Sequence, residues 1–277
     1  MPLLLAIVVT LIAFAANSVI NRMAVAGGLA DPGSFATIRV TAGALVLVAL
    51  ARAQGRAVPL RSVRRIAGAG SLAVYMVGFS VGYLTLDAGI GALLLFGVVQ
   101  VAIFGISAWR GAAPNARQIA GAAVAMAGLA VVLWPAGVWR VDAVGALCMV
   151  AAGIGWAVYT LEGRGEPDAL AGTAANFVWA LPPTALALGL DGVPVAVTPS
   201  GVGLAVISGA LTSGLGYALW YRVLPRISAV TAAVAMVAVP LIAVAGGIVF
   251  LGESVTQRFA IGVVLVLGGI LLAIRRA

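Results

Sequence analysis

Polar side chains are rare inside the apolar stretches of this sequence, and those present suit binding better than catalysis. Asn17 and Gln100 are amides and Arg39 is a guanidinium, each within a long hydrophobic run. The chain has no His and no Lys, and its single cysteine, Cys148, lies in an apolar run. These absences exclude His-activated nucleophiles, Schiff-base lysines, the P-loop lysine and thiolate metal clusters. Hydrogen bonding and charge pairing with a bound molecule remain.

Aromatic residues repeat on a helical face near these polar positions. Tyr75, Phe79 and Tyr83 follow an i, i+4, i+8 spacing, which places them on one face of a helix. This face could form the wall of a substrate cavity or simply pack in the core. We expect Tyr75 and Phe79 to line a cavity and Tyr83 to lie at the membrane interface.

Two further segments combine aromatic rings with hydroxyl groups. Trp156 and Tyr159 are close in one apolar run, and Ser213 and Tyr217 lie in another run that is rich in glycine. The glycines permit either a kink or a close helix crossing, and hydroxyl donors at mid-depth could bind a carboxylate. Trp220 and Tyr221, at the end of that run, are expected at the membrane interface. The predicted substrate-binding residues are Asn17, Tyr75, Phe79, Gln100, Trp156, Tyr159, Ser213 and Tyr217.

The buried polar residues also have structural alternatives. Asn17 and Gln100 could join helices through hydrogen bonds instead of contacting a substrate. Burying Arg39 costs ~2.5–3.5 kcal/mol on insertion scales, so a partner or a function is expected for it. Because Arg39 lies toward the outer end of its span, we expect it to snorkel to that face or to bond helix-end carbonyls, in a structural or gating role.

About ten membrane-spanning helices must position these residues. The chain has 277 residues, of which 63% are hydrophobic and 9% are charged, a composition typical of polytopic membrane proteins. A span needs ~20 apolar residues to cross ~30 Å of hydrocarbon. The sequence predicts an all-α polytopic membrane protein with spans at 3–22, 33–51, 64–85, 88–109, 117–135, 142–161, 169–189, 201–221, 227–250 and 257–274.

The basic residues predict orientation rather than nucleic-acid binding. The net charge of +8 comes from sixteen arginines that lie mostly between apolar runs. With a cytoplasmic N-terminus, twelve of them fall in cytoplasmic segments and only Arg22, Arg140 and Arg258 on the opposite side. We therefore expect a protein of the bacterial inner membrane with both termini in the cytoplasm. The first apolar run is interpreted as a span and not as a signal peptide.

The two halves of the chain look like copies of one five-helix unit. An odd number of spans would invert the second copy, and inverted repeats with a site near the membrane midplane are typical of transporters. The predicted units are residues 1–137 and 138–277. The matching positions, at nearly constant offset, are Phe14 and Trp156, Arg22 and Arg164, Arg117 and Arg258, Gly121 and Gly262, and Gly128 and Gly269.

This organisation resembles the drug/metabolite transporter superfamily, specifically its EamA-type carriers. The second half carries the likeness: Ser228–Ala229 opens the ninth span, Pro240 lies within it, Gly252–Glu253 ends it, and a Gly-rich helix follows. The first half departs from the pattern, because Gln100 stands where Pro240 has its counterpart and Ala112–Ala113 replaces the Gly–Glu ending. Arg39 also looks like the family's arginine of the second span.

The resemblance implies an alternating-access carrier that exports amino acids, including aromatic ones, or similar small metabolites. It also suggests that Pro240 and Glu253 belong to the scaffold and the outer gate. No Asp or Glu lies near the middle of a span, which predicts uncoupled, facilitated transport. The alternative within the superfamily is efflux of drugs or organic cations.

Other functional classes have less support in the sequence. A membrane enzyme is not expected, because no carboxylate pair or metal cluster occurs at membrane depth. A channel would show single-channel conductance steps, whereas a carrier would show saturable counterflow. We expect no cofactor, a small-molecule substrate and the lipid bilayer as partners, and a monomer or weak dimer.

Overall fold

The computed structural model describes residues 1–86, 88–134, 142–188, 195–242 and 257–274. Within these ranges the chain forms ten helices, and the prediction of an all-α polytopic fold is confirmed. Five of these helices are long and apolar enough to cross a membrane, and four shorter ones are also apolar. The helices are α1 Leu3–Val25, α2 Pro32–Ala53, α3 Arg64–Thr85, α4 Ala88–Trp109, α5 Ala116–Leu133, α6 Ala143–Gly163, α7 Ala169–Ala185, α8 Pro199–Arg226, α9 Ala229–Ile242 and α10 Gln257–Ile274.

The helix bounds follow the predicted spans closely because capping residues fix where helices start. Asn115 and Gln118 form a capping box at α5, and Asp168 accepts the N–H groups of Leu170 and Ala171 at α7. The clearest differences are α7, which ends at Ala185, four residues before the predicted end, and α8, which ends at Arg226, five residues after it. The other helices that start at a side-chain cap are α2 with Asp31, α6 with Asp142, α8 with Thr198 and α9 with Ser228.

Because successive spans run in opposite directions, the loop before α2 and the loop before α8 should lie on the same side of the membrane. These two loops do contact each other. Asp31 accepts the N–H of Ala196, and Ala30 forms an isolated bridge with Val197. At the other end of the bundle lie residues 54–63, 110–115 and 164–168, and we call this end the arginine-rich face. The described loops therefore alternate between two faces, as they must in a multi-span bundle.

Ion pairs join the two halves of the chain at the arginine-rich face. Arg65 and Glu166 form a buried pair, whereas Arg56 and Asp168 pair at 2.7 Å near solvent. Burial favours the neutral form of Asp168, but the N–H of Ala171 and the Arg56 guanidinium outweigh this effect and hold the pKa of its carboxyl below the ordinary value.

Glycines allow α5 and α10 to pack closely. A Cβ on Gly121 would lie 2.6 Å from the carbonyl oxygen of Gly269, and a Cβ on Gly269 would lie 2.5 Å from that of Gly121. A Cβ on Gly128 would lie 3.1 Å from the carbonyl oxygen of Gly262. The backbones touch at these positions, as small residues permit between membrane helices.

Two helices are irregular where they approach the centre of the bundle. In α8 the segment Ser208–Leu215 is a π-helix, a wider form that is frequent at functional sites. In α9 the regular helix ends at Met236, Val237 forms a turn, and Pro240 follows in the resumed helix. Glu253 lies outside the described residues, as do Asp87, Arg140 and Asp191.

Candidate substrate site

Arg39 lies at the centre of the candidate site. Its side chain is fully buried between α2 and α8. The Nε atom donates a hydrogen bond to Ser213 Oγ at 2.7 Å, and Nη2 donates to the hydroxyl of Tyr217 at 2.7 Å. Nη1 is buried and has no hydrogen-bond partner among the described residues. The guanidinium thus keeps one donor group available for a further acceptor.

This arrangement corrects the expectation for Arg39. The side chain neither snorkels to a face nor bonds helix-end carbonyls, because its partners are two side chains of α8. The ion pairs found in the described ranges all lie at the arginine-rich face, and none of them includes Arg39. The charge of Arg39 is therefore solvated by hydroxyl groups and not neutralised by a described carboxylate.

Asn17 of α1 completes the polar cluster around Arg39. Its Oδ1 accepts hydrogen bonds from Ser208 Oγ at 2.5 Å and Thr212 Oγ1 at 3.2 Å, with Ser213 Oγ at 3.4 Å. One amide oxygen thereby accepts hydrogen bonds from three hydroxyl groups of the π-helix. We call Asn17, Arg39, Ser208, Thr212, Ser213 and Tyr217 the polar cluster.

The hydroxyl groups of the π-helix lie next to Asn17 and Arg39 because α8 crosses α2 at very short range. A Cβ on Gly209 would overlap the backbone carbonyl of Arg39, and a Cβ on Gly43 would overlap the ring of Phe177. A Cβ on Gly43 would also lie 2.9 Å from the carbonyl oxygen of Gly209, so the backbones of α2 and α8 touch and the close crossing is found. Donation from these hydroxyl groups to a substrate carboxylate stays a prediction.

Aromatic rings surround the polar cluster. Tyr75 lies beneath the guanidinium, with 5.7 Å between Arg39 Cζ and the ring centroid, a cation–π distance. Trp156 is the hub of the rings, with centroids 4.8 Å from both Tyr75 and Tyr217 and 5.1 Å from Phe14. Tyr75, Phe14, Phe79, Trp156 and Phe177 form what we call the aromatic wall.

Tyr159 extends this arrangement toward the arginine-rich face. Its ring stacks on Trp156 at 5.6 Å, and its hydroxyl is buried without a partner in the described part of the chain. Tyr221 donates to the carbonyl oxygen of Tyr159 and accepts from Asn176, which in turn accepts from Arg65. A continuous series of hydrogen bonds therefore connects the site to the buried Arg65–Glu166 pair.

Gln100 lies apart from the polar cluster. Its Nε2 donates to the carbonyl oxygen of Ala233 in α9 at 2.8 Å, while its Oε1 is buried without a partner among the described residues. Val237 donates its N–H to Val234 and not to Ala233, four residues back. Gln100 thus satisfies a carbonyl next to the irregular part of α9, about two turns before Pro240. This contact corresponds to the interhelical alternative for this residue.

A cavity of about 520 Å³ lies at the arginine-rich face, between α4, α6 and α9. Arg110, Glu162 and Ser228 contribute polar groups to its lining, together with Gln118 of α5. Leu161 lines it two residues beyond Tyr159. The cavity therefore adjoins the end of the helix that carries Trp156 and Tyr159.

The structure thus brings seven of the eight predicted site residues together. Asn17, Ser213 and Tyr217 belong to the polar cluster, and Tyr75, Phe79 and Trp156 to the aromatic wall, with Tyr159 stacked on Trp156. Gln100 lies apart from the other seven, and Pro240 is buried in α9. Arg39, expected in a structural or gating role, lies at the centre of the candidate site.

Several site residues were not predicted from the sequence. Phe177 and Asn176 lie in the seventh span, where an amide in an apolar run was the same signal that selected Asn17. Tyr221 and Trp220, expected at the membrane interface, are buried in the bundle, so that expectation is wrong. Tyr83, expected at the same interface, is also buried, with its ring against Phe79.

Comparisons with known proteins identify the family. The profile of the EamA-like transporter family matches residues 143–275. An uncharacterized protein of Pseudomonas aeruginosa is 41% identical over 270 residues, which is 97% of this chain and 93% of the relative. The chain belongs to the EamA-like transporter family. It is therefore a multi-pass membrane protein of a transporter family.

Other similarities agree with this assignment. A probable terminal-alkyne amino-acid exporter of Streptantibioticus cattleyicolor is 28% identical over 288 residues, covering 98% of this EamA-like transporter and 93% of the relative. A crystal structure of a protein shares the fold with a TM-score of 0.80 over 97% of each chain, at 20% identity. The latter likeness concerns the fold alone.

Proposed function

We propose that this EamA-like transporter is an alternating-access carrier that exports amino acids, with aromatic ones among the candidates, or similar small carboxylates. The observation that carries the proposal is Arg39, a fully buried guanidinium with a free Nη1 and no carboxylate among its described partners. A buried charge without a partner is costly, so a substrate carboxylate would supply the missing acceptor. Bidentate pairing with carboxylate is the geometry that a guanidinium favours.

The aromatic wall supports a substrate with an apolar side chain. Tyr75 lies beside the guanidinium and Trp156 packs against Tyr75, so a carboxylate at Arg39 would leave the rest of the molecule near these rings. The relative described as a probable terminal-alkyne amino-acid exporter is in line with such a substrate. Organic-cation efflux is the alternative, and the positive charge of Arg39 at the site disfavours it.

The proposed mechanism uses two inverted units, residues 1–137 and 138–277. The reciprocal contacts support this division: Gly121 touches Gly269, the counterpart of Gly128, while Gly128 touches the region of Gly262, the counterpart of Gly121. Such exchange of partners is what a two-fold axis between copies produces. The contact of Phe14 with its counterpart Trp156 agrees with an axis near the site.

Alternating access would then open one face at a time around the polar cluster. We assign the arginine-rich face to the cytoplasm, with both termini there, from the distribution of arginines. The buried Arg65–Glu166 pair would act as the cytoplasmic latch, and the cavity beside Glu162 would receive the substrate. Glu253 remains the candidate for the outer gate and Pro240 for the scaffold of α9.

Transport is proposed to be uncoupled. Proton coupling in membrane carriers uses carboxylates or histidines at membrane depth, and the chain has no histidine. The carboxylates of the described ranges lie at helix ends and loops, as Asp31, Glu162 and Glu166 illustrate. Substrate would therefore run down its own gradient.

Counterflow in proteoliposomes tests the proposal. The purified protein is reconstituted, and uptake of a panel of labelled amino acids is measured against unlabelled amino acid inside. We expect saturable counterflow of at least one amino acid without a stoichiometric proton current. Single-channel conductance steps, chemical conversion of the amino acid, or preferential counterflow of organic cations would contradict the proposal.

A further inference from the structure

An apolar groove lies on the surface of the bundle where α3 begins and α7 passes beside it. Its volume is about 460 Å³. Ile66 is 74% exposed and Val63 is 80% exposed, so the groove borders a surface that hydrocarbon would cover. The apolar part of its lining consists of Leu60, Val63, Ile66, Ala69, Gly70, Trp179 and Pro183.

The end of the groove at the arginine-rich face is cationic. Arg61 lines it and is exposed. Residues 52–65 contain five arginines and no carboxylate, and the described ion pairs engage Arg56 and Arg65 of these. The groove therefore combines an apolar floor with a local excess of positive charge at one end.

The buried guanidinium of Arg65 is a second feature that favours an anionic ligand in this groove. Arg65 also lines the groove and is nine-tenths buried; it donates from Nη1 to Gly172 and Asn176 and from Nη2 to Glu166. Its Nε is buried and has no acceptor in the described residues. The first N–H groups of α3 add no free donors, because those of Arg65 and Ile66 donate to the carbonyl oxygens of Ser62 and Val63.

Trp179 lines the groove on the side of α7. Its Nε1 donates to the carbonyl oxygen of Leu60 at 2.7 Å, and half of its side chain is exposed. This bond fixes the segment that carries Arg61 against α7. An indole that is partly exposed beside arginines is typical of the depth at which lipid headgroups begin.

We propose that this groove binds an anionic phospholipid. One acyl chain would lie along the apolar floor, and the phosphate would meet Arg61 and Arg65. A zwitterionic lipid would be held less strongly, because its ammonium group would face the local excess of positive charge. This inference is independent of the transported substrate.

Two variants separate the acyl and headgroup contributions. Gly70 lines the groove and has no heavy atom within 4 Å of an added Cβ, so Gly70→Leu places a larger side chain on the floor. Gly105→Leu is its control, because Gly105 of α4 is equally open and exposed. Arg61→Gln removes the headgroup charge, and Arg226→Gln removes an exposed arginine elsewhere on the same face.

Native mass spectrometry measures the lipid directly. The delipidated protein is incubated with phosphatidylglycerol or with phosphatidylcholine of the same chains, and with inorganic phosphate as competitor. We expect preferential retention of phosphatidylglycerol, and about five-fold less retention in Arg61→Gln and in Gly70→Leu. Both control variants should bind like the unmodified protein.

Three results would overturn the proposal. These are equal retention of the two lipids, displacement of phosphatidylglycerol by millimolar inorganic phosphate, and unchanged retention in Arg61→Gln. The last variant lies on the surface, so its result stands even if Gly70→Leu lowers the yield of folded protein.

Discussion

In the proposed function Arg39 determines what the candidate site can bind, because its guanidinium is buried and its described partners are all neutral. The hydroxyl groups of Ser213 and Tyr217 hold two of its nitrogen atoms, and the ring of Tyr75 lies below the plane. These contacts fix the orientation of the remaining donor, Nη1. Preorganised donors of this kind reduce the ordering cost of binding a carboxylate.

The variant Tyr217→Phe tests this orientation. It removes the hydroxyl group that accepts from Arg39 Nη2 and keeps the ring that packs against Trp156. We expect the substrate concentration for half-maximal counterflow to rise roughly two- to ten-fold, the range for one hydrogen bond. Tyr83→Phe is the control, since Tyr83 is also buried but does not bond Arg39. Equal effects of the two variants would contradict this role.

The sequence predicted most residues that meet at the candidate site but not the surroundings of Arg39. Polar residues in apolar runs are expensive in lipid, and this rule selected Asn17, Arg39 and Gln100. The depth of a residue along its span does not tell which neighbour it meets, so Arg39 was expected to snorkel. Its partners depend on the close crossing of α2 and α8 at Gly209, a tertiary contact that spacing along one helix does not contain.

At the scale of helices, the bundle depends on glycines that let backbones touch. Gly121 and Gly269 oppose each other across α5 and α10, where any Cβ would overlap a backbone carbonyl. Helix bounds were predictable because caps such as Asn115 and Ser228 are local signals. The π-helix of α8 was not, because it depends on contacts with α2 and α1.

Two adjacent glycines of α10 allow a direct test of this packing. Gly269→Leu would force α5 and α10 apart, whereas Gly268→Leu meets no heavy atom within 4 Å of the new Cβ and points outward. We expect Gly269→Leu to destabilise the protein by about 1–3 kcal/mol or more and Gly268→Leu to have little effect. Thermal unfolding in detergent measures both, and a similar loss in each would show that the crossing is not important.

At the scale of the whole molecule, the ion pairs of the described residues all join the two proposed units at the arginine-rich face. Arg65–Glu166 is buried, with side-chain exposures of 6% and 7%, whereas Arg110–Glu162 is more exposed. Hydrogen bonds through Asn176 and Tyr221 connect the buried pair to Tyr159 in the site. Opening of this face would break these bonds and so change the surroundings of the substrate.

The variants Glu166→Gln and Glu162→Gln compare a buried with an exposed pair. Removing one partner of a buried pair leaves an uncompensated charge and costs about 3–5 kcal/mol, while an exposed pair contributes about 0–1 kcal/mol. We therefore expect Glu166→Gln to lower the unfolding temperature clearly and to increase labelling of a cysteine placed at Tyr159 from the arginine-rich face. Glu162→Gln should do neither. Unchanged labelling in Glu166→Gln would argue against the latch.

The central claim, that Arg39 binds the substrate carboxylate, is tested most directly by comparing phenylalanine with phenylalaninamide as competitors of counterflow. We expect the unmodified protein and the control Arg22→Gln, an exposed arginine at the end of α1, to favour the carboxylate roughly ten- to hundred-fold. In Arg39→Gln this preference should fall to near unity in protein that elutes as a folded species. Preservation of the preference in Arg39→Gln would contradict the account.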